Sequence, residues 1–186
     1  MTTGGVVVWI TGLPAAGKTT LAEALRVRLA DASRPCAVLD GDAVRAALVP
    51  PPDYSDGGRE AFYQTLARLA ALLAGQGLVV LVPATAPKRQ QRQAARARAP
   101  RFLEVWVRTP LATCVARDPK GLYAAAQTRA VTGLPGVDTP YEAPTDPDVV
   151  ADMGLDAGAL DRVCALVLTT AEATASSRAL ASRPST

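Results

Sequence analysis

The residues Val6-Val7-Val8-Trp9-Ile10 are apolar without interruption and run into Gly12-Leu13-Pro14-Ala15-Ala16-Gly17-Lys18-Thr19. An unbroken β-rich run predicts a central parallel strand covered on both faces, because a half-exposed strand would alternate polar and apolar residues. The Gly/Pro stretch predicts a tight loop, and Leu21, Ala24, Leu25 and Leu29 then recur at helical spacing over residues 18–30. This strand-loop-helix junction carries the spacing GxxxxGK[ST], a loop that wraps phosphate. Its glycines let backbone amides turn toward phosphate oxygens, and the helix N-terminus adds positive potential. Lys18 is expected to reach the β- and γ-phosphates of ATP, and the Thr19 hydroxyl to bind Mg²⁺. Gly12, Leu13, Pro14, Ala15, Ala16, Gly17, Lys18, Thr19 and Thr20 are therefore the candidate ATP contacts.

The rest of the chain repeats the alternation of strand and helix. Residues 37–39 predict a second strand that stops at Asp40-Gly41-Asp42, residues 78–82 a third and residues 102–107 a fourth. Phe62, Leu66, Leu69 and Leu73 mark an amphipathic helix running from Glu60 to about Gly75, and Pro87 opens another over 88–98. Thr109-Pro110 reads as the N-cap and first turn of a short helix to Ala116. Leu160, Val163, Cys164, Val167 and Leu168 mark a final helix. Residues 49–58, with successive prolines, predict an irregular loop. The Gly-, Pro- and Asp-rich residues 117–147 are too long for a passive connection and predict a mobile lid. The expected architecture is a three-layer α/β domain with a central parallel sheet over residues 1–170. Apolar periodicity stops near Ala171, so residues 171–186 are expected to form a disordered tail.

Histidine is absent, which removes the commonest general base, Ser-His-Asp triads and most zinc sites. A base must then be Asp or Glu. Asp40 and Asp42 end the second strand, at the carboxyl edge where ligands bind in open α/β folds. One carboxylate can hold magnesium-bound water and the other can accept a hydroxyl proton, while Arg45 can neutralise an anionic acceptor. The third strand ends in Pro83-Ala84, so this pair must also cover the acid that strand lacks. The cysteines Cys36, Cys114 and Cys164 form no CxxC pair, which argues against disulfides and thiolate metal sites and for a reducing cytoplasm. No basic leader or bilayer-length apolar run is present, and no membrane partner is expected. A net charge of +3 is only weakly compatible with anionic partners, and scattered arginines with 4% aromatics leave nucleic acid no stacking platform, so no nucleic-acid partner is expected. Arg89, Arg92, Arg96 and Arg98 read as a solvated helix face, and Trp9 and Trp106 as core packing.

Several strings resemble the adenylylsulfate (APS) kinase family, P-loop enzymes that phosphorylate the 3′-hydroxyl of APS. They are the phosphate loop, Leu39-Asp40-Gly41-Asp42 with Val44-Arg45, Tyr54-Ser55, Arg59, Ala116-Arg117-Asp118-Pro119-Lys120-Gly121-Leu122-Tyr123, and Asp138-Thr139-Pro140-Tyr141-Glu142-Ala143-Pro144. The resemblance spans about Val6 to Asp152. It implies a P-loop NTPase fold, ATP and Mg²⁺, a small-molecule acceptor and a homodimer. It further implies Lys18, Asp42 and Lys120 as catalytic, with Asp42 the base, and Thr19 and Asp40 at the metal. Arg117 would face ATP from the lid. Asp40, Asp42, Arg45, Tyr54, Arg59, Lys120 and Leu134 would line the acceptor. Of these, Arg45 and Arg59 match arginines that grip the phosphosulfate, and Tyr54 and Leu134 stand where phenylalanines stack on adenine.

Departures from the family pattern cluster on the acceptor side. Ala43 and Ala46 replace Asn and His, and a DRxEN pattern becomes Gly58-Arg59-Glu60-Ala61-Phe62, losing an acceptor-contacting Asn. Thr85-Ala86-Pro87-Lys88-Arg89 lacks the serine of ISPYR, and Ala124-Ala125-Ala126-Gln127 lacks its basic residues. Phosphoryl donation is expected to survive better than APS recognition. Another anionic nucleotide or sugar hydroxyl as acceptor, or a catalytically eroded nucleotide-binding module, stand as alternatives.

Overall fold

β1 (Val6–Thr11) is buried along its whole length. Val6, Val8 and Ile10 enter one core while Val7 and Trp9 enter the other, which is why the run shows no polar alternation. The computed structural model describes residues 5–181, with side chains to residue 169. Beside β1 stand β2 (Cys36–Val38), β3 (Val79–Pro83), β4 (Phe102–Val107) and β5 (Val149–Ala151). They form a parallel sheet in the order β2-β3-β1-β4-β5, with Val8 in register with Leu81 on one side and Leu103 on the other.

Helices cover both faces. α1 (Lys18–Asp31), α5 (Leu111–Arg117), α6 (Leu122–Gln127) and α7 (Ala157–Ala181) pack Leu21, Leu25, Cys114, Tyr123, Leu160 and Val163 on the Val8 face. α3 (Asp56–Gly75) and α4 (Arg89–Arg96) pack Phe62, Leu66, Ala70 and Ala95 on the Trp9 face. The three-layer P-loop NTPase architecture is thus present. Trp9 is fully buried, whereas Trp106 is only partly covered, with Arg108 5.8 Å from its ring centroid.

The structure differs from the sequence reading at several element ends. α3 begins at Asp56, not Glu60, because the Ser55 hydroxyl accepts from the Gly58 amide at 3.1 Å and caps the helix within the expected loop. α2 (Gly41–Ala47) follows β2 immediately, capped by Asp40. β5 was not expected from its few residues. It is held by Asp148, whose Oδ2 accepts from the Glu104 amide at 2.7 Å. Thr109 is not the cap of α5; Pro110 holds that position, and the Thr109 hydroxyl is used elsewhere. The backbone of α7 continues to Ala181, into the stretch read as a tail, and residues 182–186 lie outside the described residues.

Candidate active site

The phosphate loop leaves the carboxyl end of β1 and turns into α1 through left-handed residues at Ala15 (φ 60) and Gly17 (φ 101). Gly17 admits no side chain: a Cβ there would stand 2.4 Å from the Gly154 Cα. The loop is braced from beneath, since the Ala16 carbonyl accepts from Thr109 Oγ1 at 2.8 Å and from the Gly154 amide at 3.3 Å. The Tyr123 hydroxyl donates to the Pro14 carbonyl at 3.0 Å. Lys18 Nζ folds back onto the loop, donating to the carbonyls of Leu13 at 2.7 Å and Gly12 at 3.0 Å. Desolvation lowers its pKa to about 8, against the opposing fields of Asp42 and Asp40.

Both acids of the Asp40-Gly41-Asp42 string lie at this edge. Asp40 Oδ1 accepts from the amides of Asp42 at 3.0 Å and Ala43 at 3.3 Å, so it caps α2. Its Oδ2 accepts from Thr19 Oγ1 at 2.9 Å. A hydroxyl and a carboxylate meeting beside a phosphate loop suit a hard cation, which takes oxygen donors and is commonly held by few protein groups plus substrate phosphates. Thr19 and Asp40 therefore fit Mg²⁺. Asp42, in the first turn of α2, forms an ion pair with Lys120, and that hydrogen bond raises the Lys120 pKa.

The expected acceptor arginines gather around Tyr54. Arg45 lies 4.4 Å and Arg59 5.8 Å from its ring centroid. Arg45 Nη1 donates to the carbonyls of Pro52 and Asp53, both at 2.9 Å. Arg59 donates through Nε to the Tyr54 carbonyl at 2.8 Å and through its Nη atoms to those of Gly133 and Thr132, tying α3 to the segment 117–147. Tyr54 itself is 64% exposed. Leu134 is buried in the core cluster of the Val8 face. Arg117 is exposed at the end of α5, and Thr20 is exposed in the first turn of α1.

The return of the segment 117–147 is clamped by contacts that the sequence does not reveal. The Tyr141 hydroxyl lies 3.0 Å from Thr11 Oγ1, which donates to the Thr85 carbonyl at 2.6 Å. Arg92 corrects the reading of a solvated arginine face, being only 2% exposed. It donates to Glu104 Oε1 and to the Ala86 carbonyl, both at 2.7 Å, and to the Glu142 carbonyl at 2.6 Å. Glu142 Oε2 in turn accepts from the Arg89 amide at the start of α4, at 2.6 Å. Gly154 and the loop-bracing role of Thr109 carried no local signal. The Tyr141 position was visible only as part of the Pro140-Tyr141-Glu142-Ala143-Pro144 string.

A profile of the adenylylsulphate kinase family matches residues 4–152. A probable adenylyl-sulfate kinase of Synechocystis is 43% identical over 145 residues, 78% of this chain and 82% of that protein. An adenylyl-sulfate kinase of Chloroflexus aurantiacus is 45% identical over 148 residues, 80% of this chain and 80% of that protein. The structure of the Mycobacterium tuberculosis APS kinase in complex with AMPPNP and APS superimposes with a TM-score of 0.80 at 37% identity, covering 87% of this chain and 97% of that one. Sequence and loop geometry agree: the chain belongs to the adenylylsulphate kinase family, ATP-dependent P-loop phosphotransferases that act on a hydroxyl.

Proposed function

We propose that this chain transfers the γ-phosphoryl group of ATP to the 3′-hydroxyl of adenylylsulfate. The observation that carries the reading is the convergence of Lys18, the Thr19–Asp40 contact and the Asp42–Lys120 pair at one edge of the sheet. Nucleotide phosphates offer Lys18 better acceptors than the Gly12 and Leu13 carbonyls, so the ammonium swings outward to the β/γ oxygens. Thr19 and Asp40 would hold Mg²⁺, which when bound would supply charge neutralisation at the nucleotide phosphates. Lys120 leaves Asp42 for the phosphoryl group as the lid settles. The freed Asp42 carboxylate takes the hydroxyl proton as the acceptor oxygen bonds to phosphorus, and the bond to ADP breaks with ADP departing. Arg45, Arg59 and Tyr54 orient the acceptor, and Arg117 covers the nucleotide. The family resemblance also supports a homodimer, checked by light scattering, and a cytoplasmic location, checked by cell fractionation. No helix among the described residues is long and apolar enough to cross a membrane.

Coupled measurement of ADP release with APS, against a panel of nucleosides and sugar acids, tests the acceptor. APS-dependent release is the expected outcome; release with another panel member alone overturns it. Asp42→Asn should slow single-turnover transfer by about 10²–10⁴-fold with nucleotide affinity little changed. An unchanged single-turnover rate removes Asp42 as the base.

A further inference from the structure

The Arg45 guanidinium lies against two aromatic rings. Its central carbon lies 4.4 Å from the Tyr54 centroid and 4.0 Å from the Phe62 centroid. Tyr63 extends the aromatic cluster, 5.5 Å from Phe62 with the planes at 60°. The rings differ in mobility of setting: Tyr54 is 64% exposed, whereas Phe62 is 3% exposed and anchored in the core between α3 and the sheet. Two carbonyls hold the Nη1 edge, while Nε and Nη2 have no hydrogen-bond partner among the described residues. Arg45 follows Asp42 by one helical turn in α2, so both side chains project from the same side.

Two aromatic rings within 4.4 Å and two hydrogen bonds at one edge leave the guanidinium little rotational freedom before any ligand arrives. The edge that remains, Nε–H with Nη2–H, is the fork that matches a sulfate, phosphate or carboxylate with two parallel hydrogen bonds. A ring at position 62 thus does by preorganisation what a side-chain amide would do by direct contact.

We propose that Phe62 is a specificity-determining positioning residue, whose buried ring holds Arg45 so that its free fork meets an anionic group of the acceptor beside Asp42. The proposal rests on the acceptor reading above, and its test separates the two. Phe62→Leu keeps an apolar side chain in the core but removes the ring; Phe62→Tyr keeps the ring. The Leu variant should raise the KM for APS roughly tenfold while the KM for ATP moves less than about twofold, and the Tyr variant should restore the low KM. A merely structural loss would move both constants together, and that result, or an unmoved APS constant, overturns the proposal. Failure of the wild-type protein to use APS would sink the acceptor reading instead. The positioning claim then stands or falls on the Arg45 Nε–H resonance, assigned by its loss in Arg45→Lys. Ring currents should displace it in the wild type, and inorganic sulfate should shift it further. Both effects should vanish in Phe62→Leu; their persistence there refutes the role.

Discussion

Replacing Arg92 by Leu removes the cation that joins α4, β4 and the backbone at Glu142. Arg92 is 2% exposed and its partner Glu104 13%, with 2.7 Å between Nε and Oε1. The variant leaves a carboxylate without its main counter-ion in a poorly solvated position, and the carbonyls of Ala86 and Glu142 lose their donors. Breaking a buried pair from one side costs about 3–5 kcal/mol. For a chain of this length each kcal/mol moves the melting temperature by about 2–4 °C, so the expected fall is about 6–20 °C. Arg96, at 3.6 Å from Glu104 Oε2, offsets part of the loss and favours the lower half of that range. Calorimetry on Arg92→Leu and on Arg92→Leu/Glu104→Leu checks the argument, because removing both charges should recover at least half of the loss. A single-variant change below about 3 °C, or a double variant no better than the single, would refute the buried-pair reasoning.

Lys18 gives a pH signature. Its pKa is lowered from 10.5 to about 8 in the ligand-free protein, and phosphate oxygens favour the ammonium, so nucleotide binding above pH 8 should take up a proton. Titration calorimetry in two buffers of different ionisation heat should show that uptake at pH 9, and Lys18→Met should abolish it. The unfolded lysine holds its proton up to 10.5, so between about pH 8 and 10.5 the folded state binds fewer protons and this group's contribution to stability rises with pH. Gly154→Ala places a Cβ 3.1 Å from the Gly17 Cα. The crowding should raise the KM for ATP by about fivefold or more with the acceptor KM little moved, measured in the coupled assay; equal KM values for ATP would show that the loop yields freely.

Sequence alone determined the parts whose chemistry is local. The apolar run of β1, the glycines of the phosphate loop and the helix after it stand within one short stretch, where periodicity and spacing can be read directly. Asp40 and Asp42 were legible for the same reason, since a strand ending in acids presents them at the ligand-binding edge. Only the tertiary structure decided which groups hold this constellation still. An arginine repeating along α4 reads alike whether it faces water or a carboxylate, and Arg92 proved to face the Glu104 carboxylate and the Glu142 backbone carbonyl. Thr109 meets Ala16 across 93 residues of chain, Tyr123 meets Pro14 across 109, and Arg59 meets Gly133 across 74. Such partners are chosen by how strands and helices stack, and that stacking follows from burying both faces of the sheet at once, a property of the whole chain that no local pattern encodes.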